Sequence, residues 1–443
     1  MKTRILICGL ILSFFIQHSF GSEVDTIVFE NVNVIPMDKK IILENHRVVV
    51  ANGKIVSVEP GEISSQYRAT KTIDGTGKFL IPGLSEMHYH WRNERGGIER
   101  DFKMLIANGV TTVRNMAEYD WQDQIAEREK ANSGTILAPN YYTTGPYLKA
   151  FDIPTEEDAV RVVKEHKGKG YDYLKIADDL PKNIYLKVLN EASKNGIDVI
   201  GHGQHQLPLE FSLRMKSIEH TEEFVYLFGD EHLEDPGFLK SAVEQIKISG
   251  VTVVPTLVVF DMILKYLDDK EFSKLKNQSD GKYLLANDHE YWLSENNPYR
   301  KDLKERIING EQALPLLTKY YKWMLKFTRT LSDNGIPLMT GSDTFGFVVM
   351  GFSLHKEFEF LHEAGLTPFE ILKASTVTPA RFLNKIAVEG TVSEGKNANM
   401  VLLTKNPLED IRNTNTIEGV MLKGQWLDRE KLDSLLTEVE ESK

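Results

Sequence analysis

Five times between residues 81 and 340 the chain repeats one short phrase: a helix-prone stretch, a polar residue followed by glycine, and then an apolar run. It appears as Asn108-Gly109 before Val110-Thr111-Thr112-Val113, Lys169-Gly170 before Tyr171-Asp172-Tyr173-Leu174, and Asn195-Gly196 before Ile197-Asp198-Val199-Ile200. It returns as Ser249-Gly250 before Val251-Thr252-Val253-Val254 and Asn334-Gly335 before Ile336-Pro337-Leu338-Met339. Each glycine stands where a helix end needs a left-handed residue, and each run suits a strand covered on both faces. Helix starts fit the same rhythm: Thr155-Glu156-Glu157-Asp158 resembles a capping box, and Pro181 suits a first turn. Further runs at 87–90, 136–143 and 217–220 bring the strands to eight, alternating with helices. The pattern predicts an α/β fold, a closed (β/α)8 barrel, with an open doubly wound sheet as the alternative.

Outside this region the texture changes. Residues 47–58 are two β-branched runs around Asn52-Gly53, a hairpin signal, and similar runs return only at 400–403 and 419–426. Segments at opposite ends of the chain are therefore expected to pair into one small β-sandwich domain. The expected organisation is an export signal at 1–21, the first part of the sandwich at 22–80, the barrel at 81–384, the second part at 385–430 and a charged tail at 431–443, helical or frayed. A polar segment at 262–312 interrupts the rhythm and reads as an insertion covering the barrel mouth.

The first residues, Met1-Lys2-Thr3-Arg4, precede an apolar run over 5–16 that is short of the roughly 20 residues a bilayer span needs. With Ser19 and Gly21 behind it, the segment reads as a cleaved signal, and the protein as exported, periplasmic or secreted. The single cysteine, Cys8, lies inside that run, so the remaining chain has neither disulfides nor thiolate ligands. A net charge of −11 without a basic run disfavours nucleic acid or an anionic membrane surface as partner.

In such a barrel, functional residues gather where strands end. The polar residues that close the apolar runs are His88 and His90, Lys175, His202, His220 and Asp343. His88 and His90 leave one face of a strand, as two ligands of one ion would. Each residue also has an ordinary explanation: His202 as a turn residue, His220 as a half-buried histidine bonded to backbone, Asp343 as a helix cap. Lys175, inside a buried run, is driven toward the neutral amine, which adds carbon dioxide to give a carboxylate-like carbamate. Pairing with a carboxylate, or reaching out to solvent, is its other reading.

These residues, with the run Ile81-Pro82-Gly83-Leu84-Ser85-Glu86-Met87-His88-Tyr89-His90, resemble the amidohydrolase superfamily, in its imidazolonepropionase-like and prolidase-like branch. The likeness continues through Glu363-Ala364-Gly365-Leu366-Thr367-Pro368, Ala374-Ser375-Thr376 and Gly390-Thr391-Val392. It implies a distorted eight-fold barrel with a composite β-sandwich and two divalent ions, zinc being the expected metal. One ion would sit on His88, His90 and Asp343 and the second on His202 and His220, with carboxylated Lys175 and a hydroxide between them. Glu86 stands where the family has Asp, Asn399 replaces another Asp, and Thr143-Thr144-Gly145-Pro146-Tyr147 lacks the Gly-Gly-His of many relatives.

The resemblance implies hydrolysis of a C–N bond in a small substrate, a dipeptide or N-acyl amino acid, with Asp343 as general base. A cyclic amide or lactone hydrolase on the same site, and a non-catalytic binding protein of this fold, are the alternatives. Arg114 is a candidate for the substrate carboxylate, with a structural ion pair as its other reading. Tyr147, His205 and Tyr226 are further rim candidates. Expected partners are the small substrate and, where the chain self-associates, a second copy.

Overall fold

The computed structural model describes residues 26–61, 69–92 and 97–442. The export signal expected at 1–21 lies outside the described residues. Among those described, no helix is long and apolar enough to cross a membrane.

The two chain ends meet in one sheet. Its strands run in the order Gln425–Asp428, Ile417–Leu422, Met400–Leu403, Phe79–Pro82, Thr26–Val34, Leu43–Ala51 and Lys54–Pro60, with Lys71–Asp74 also paired to Thr26–Val34. The join is antiparallel, Met400 opposite Pro82 and Val401 opposite Ile81. Asn52 and Gly53 both take positive φ, 52° and 72°, as a tight hairpin turn requires. Ile27, Phe29, Val48, Val50, Leu402 and Met421 pack into a core belonging to this sheet alone.

Between the ends lies the barrel. Leu84–Tyr89, Val110–Asn115 and Asn140–Thr143 form one parallel arc, and Tyr173–Ile176, Asp198–Gly201, Ser217–Glu219 and Thr252–Val254 form another. Hydrogen bonds of the kind used within a sheet close the ring at both gaps. Leu148 N donates to Lys175 O at 2.8 Å, while Met339 N donates to Val253 O and Met87 N to Thr340 O. The closed barrel thus replaces the open-sheet alternative.

Two strands are shorter than the sequence suggests. The third starts only at Asn140, because Pro139 has no N–H to give to a ladder. The eighth shrinks to a single parallel bridge, Val253 to Leu338, beside Pro337. All five glycines of the repeated phrase take the left-handed conformation, Gly109, Gly170, Gly196, Gly250 and Gly335, with φ between 61° and 88°. Thr155 caps its helix by accepting from Asp158 N, whereas Pro181 stands just before the first turn of Lys182–Asn195.

The insertion is helical and aromatic. Tyr266, Trp292 and Tyr299 stack on one another and against Phe345, two residues beyond Asp343, so the segment is fixed to the loop that leaves the eighth strand. The C-terminal tail is not frayed. Arg429–Glu441 is a helix whose Leu432, Leu435 and Val439 are buried, an apolar stripe at helical spacing among charges.

Candidate metal centre

Each barrel strand is short, so the residue just past its end is placed by backbone and neighbouring strands together. His90 N donates to Thr344 Oγ1 at 3.1 Å, and Asp343 N donates to His88 O at 2.7 Å, tying the first and eighth strand ends to one another. His220 and Asp343 both take left-handed backbone, φ 74° and 48°, and so does Thr256, φ 50°. Left-handed backbone at three non-glycine residues is strain, and such strain persists where surrounding structure over-determines it. Gly201 prepares His202 in another way: a side chain there would lie 2.0 Å from the Ile176 carbonyl oxygen.

The six residues named from the sequence converge. The imidazole rings form a row, His90 to His88 at 5.2 Å, His88 to His220 at 4.7 Å and His220 to His202 at 5.0 Å between centroids. Asp343 Oδ1 is 3.0 Å from His90 Nε2 and 3.7 Å from His88 Nε2. Lys175 Nζ is 3.3 Å from His88 Nε2. Ligand atoms of His88, His220 and Asp343 lie within 4.8 Å of one another, close enough to share an ion.

The surroundings fix which ring atoms face inward. His88 Nδ1 is held 3.0 Å from Glu219 Oε2, and His220 Nδ1 is 2.7 Å from Thr256 Oγ1, which leaves each Nε2 for a ligand. Burial above all drives His88, His90, His202 and His220 toward the neutral form, His90 to about 3. Neutral imidazole is the form that binds a cation. Burial alone would raise the Asp343 carboxyl, yet the histidines around it hold it well below its usual range, as an anion. Among the described residues, the buried atoms Asp343 Oδ1 and His90 Nδ1 make no well-directed hydrogen bond. An all-nitrogen-and-oxygen donor set with an unsatisfied buried carboxylate oxygen fits a borderline divalent ion.

Lys175 takes neither of its ordinary readings. It is 2% exposed and has no carboxylate partner among the described residues, and burial lowers its amine to about 8. The Tyr147 ring covers it, with Nζ 5.3 Å from the centroid, and lies 6.1 Å from His90.

The remaining candidates divide. Tyr147 is at the rim, as are His205 and Tyr226, whose rings are 5.2 Å apart beyond His202. His205 Nε2 is 2.7 Å from Glu223 Oε2, and Tyr226 donates to Glu222 at 2.5 Å. Arg114 is different. Its guanidinium is wholly buried, donates to both oxygens of Glu219 at 2.9 Å and to Met87 O at 2.7 Å, and takes the structural ion pair rather than a place at the rim.

Sequence reasoning missed the supports. Glu219, a carboxylate inside the run Ser217-Ile218-Glu219-His220, signals its role by its place, because an acid in a buried strand needs a partner. Glu86 is fully buried and accepts from His88 N, Ser342 N and the Ser342 hydroxyl. Thr256 and Thr344 carry no such signal.

Comparison with known proteins agrees with this geometry. The Amidohydrolase family matches residues 79–427. An imidazolonepropionase of Staphylococcus saprophyticus subsp. saprophyticus is 25% identical over 377 residues, 82% of this chain and 84% of that one. A Xaa-Pro dipeptidase crystallised with methionine in its active site shares the fold at a TM-score of 0.69 and 17% identity, covering 91% of this chain and all of that one. Bottromycin amidohydrolase superposes at a TM-score of 0.72 with 22% identity, covering 94% and 90%. With the barrel, the joined end strands and the matched span in agreement, the chain belongs to the amidohydrolase family and is a hydrolase acting on carbon–nitrogen bonds.

Proposed function

We propose that the protein is a metal-dependent amidohydrolase that cleaves the amide or peptide bond of a small substrate, a dipeptide or an N-acyl amino acid. The convergence of four neutral imidazoles, a buried lysine and an ionised Asp343 on one rim carries this reading. The fold shared with a Xaa-Pro dipeptidase that holds methionine in its active site supports the substrate class.

In this reading His88, His90 and Asp343 would hold one divalent ion and His202 and His220 a second, and Lys175, as a carbamate, would supply a further oxygen donor. Bound divalent ions make water a stronger acid and polarise a carbonyl. Asp343 takes a proton from the attacking water as the new C–O bond forms. It then returns that proton to the nitrogen as the C–N bond breaks, so a carboxylic acid and an amine leave. Glu219 and Thr256 keep His88 and His220 in the tautomer that points Nε2 inward. Tyr147 shields Lys175 from water on the open side. Export, with cleavage after Gly21, is part of the same proposal, and N-terminal sequencing of the exported protein tests it.

Metal analysis beside a hydrolysis screen of dipeptides, N-acyl amino acids, cyclic amides and lactones tests the function. Bound metal together with amine release from a linear amide supports it. Turnover of lactones alone, or full turnover by metal-free protein, sinks it.

A further inference from the structure

The site has two unlike ends. Beyond His202 stand three carboxylates: Glu223, 2.7 Å from His205 Nε2; Asp179, 3.7 Å from His205 Nδ1; and Glu222, bonded to Tyr226. At the other end, beside His90, stands a cation the chemistry above does not use. Arg92 lies two residues past His90 with its side chain 42% exposed. Its Nε donates to the Thr344 carbonyl at 3.0 Å, its Nη2 is 3.5 Å from Asp343 Oδ1, and its guanidinium lies 5.8 Å from the Phe345 ring centroid. It is thus held in place while remaining open to the mouth.

An anionic substrate group meets, at the first end, carboxylates already gathered round His205 and, at the second, the Arg92 guanidinium. Bond lengths add a further constraint. In an α-amino acid one carbon separates the nitrogen from the carboxylate, so the group that protonates a departing amino-acid nitrogen and the group that grips its carboxylate must be neighbours. Asp343 and Arg92 are neighbours. A guanidinium has five donors in a planar fork that matches a carboxylate, and only one of them is bonded to Thr344. Tyr147 lies beside His90 and its hydroxyl is 3.3 Å from that of Tyr119, giving the departing residue an aromatic wall.

We propose that Arg92, not Arg114, is the specificity-determining residue: it receives the free carboxylate of the departing amino acid and so restricts the enzyme to substrates ending in one. The inference rests on the amide-hydrolase reading of the site and adds to it the demand for an unblocked C-terminus.

The test uses the full chain loaded with zinc, as wild type, Arg92→Gln and Arg92→Lys. The substrates are alanyl-proline and alanyl-methionine, each beside its C-terminal amide. Wild type is expected to favour the free acids, and Arg92→Gln to lose about tenfold to a hundredfold in kcat/KM on them, largely through KM, as loss of a charge-assisted pair costs. On the amides the variant is expected to lose clearly less than on the acids, because the Asp343 carboxylate also feels the guanidinium 3.5 Å away, with Arg92→Lys intermediate on the acids and zinc content equal throughout. Calorimetry with methionine and methioninamide reads the same contact without turnover: Arg92→Gln should weaken methionine alone. Equal losses on acid and amide, or unchanged acid kinetics and methionine affinity at equal zinc, overturn the proposal. If only lactones are hydrolysed, the amide-hydrolase reading falls by itself, and methionine binding still decides for or against Arg92.

Discussion

Arg114 and Glu219 form a fully buried ion pair at 2.9 Å, and the same carboxylate holds His88 Nδ1 at 3.0 Å. One acid therefore does two things: it neutralises a guanidinium inside the barrel and fixes the tautomer of a histidine at its rim.

That double duty separates two kinds of loss. Arg114→Met leaves the Glu219 charge without its guanidinium, with only the Ser217 hydroxyl and His88 Nδ1 beside it, and is expected to destabilise the fold by about 3–5 kcal/mol, as breaking a buried pair does. The double variant Arg114→Met, Glu219→Leu should recover much of that stability in denaturant unfolding. It should still bind zinc about tenfold to a hundredfold more weakly, because His88 has lost its orienting partner. Full recovery of zinc affinity in the double variant would remove Glu219 from the metal site.

Asp343→Asn separates binding from chemistry at the other side of the row. The amide keeps an oxygen donor but takes no proton, so kcat should fall by about a hundredfold or more while His88, His90, His202 and His220 remain. Steady-state kinetics with metal analysis on one preparation checks this. Wild-type turnover with metal bound would rule Asp343 out as the base.

Lys175 needs carbon dioxide if it bridges as a carbamate. Stripped protein reloaded with zinc in carbon-dioxide-free buffer should regain activity slowly, and added bicarbonate should speed it. Lys175→Ala should not respond to bicarbonate. Reloading at one rate with and without bicarbonate would leave Lys175 an ordinary amine.

Glu357 links stability to pH away from the histidine row. It is fully buried, its Oε2 accepts from Val258 N at 2.8 Å at the start of the helix Leu257–Leu267, and burial pushes its carboxyl up to about 8. Between pH 4.5 and 8 the folded protein therefore holds a proton that the unfolded chain has released. Its contribution to stability falls as pH rises through that window and levels off above it. Glu357→Gln should flatten this part of the curve, by roughly 1–3 kcal/mol between pH 5 and 8 in chemical unfolding. Parallel curves for variant and wild type would show that Glu357 stays ionised.

Gly201→Ala places a methyl against the Ile176 carbonyl at a backbone φ of 136°. His202 is expected to move and the second half of the ligand row to lose zinc, with a stability cost above about 2 kcal/mol. Unchanged zinc content and melting temperature would show that the strand end can yield.

Much of the molecule was written locally. Five glycines at helix ends, apolar runs behind them and Asn52-Gly53 between two strands are short-range signals, and short-range sterics obeyed them. The same rhythm put His88, His90, Lys175, His202, His220 and Asp343 at strand ends, so their convergence was legible once the barrel was. Pro139 and Pro337 trimmed two strands for an equally local reason, the missing N–H. The partners were not legible. Arg114 sits at a strand end just as those residues do, and only Glu219, 105 residues later on a strand of the other arc, turns it inward. Arg92 is an unremarked basic residue until Thr344 and Asp343 arrive from 252 and 251 positions away to hold it at the mouth. Periodicity along a strand decides which side chains share a face; which charge they meet there depends on ring closure between distant segments, and that is settled only by the folded barrel.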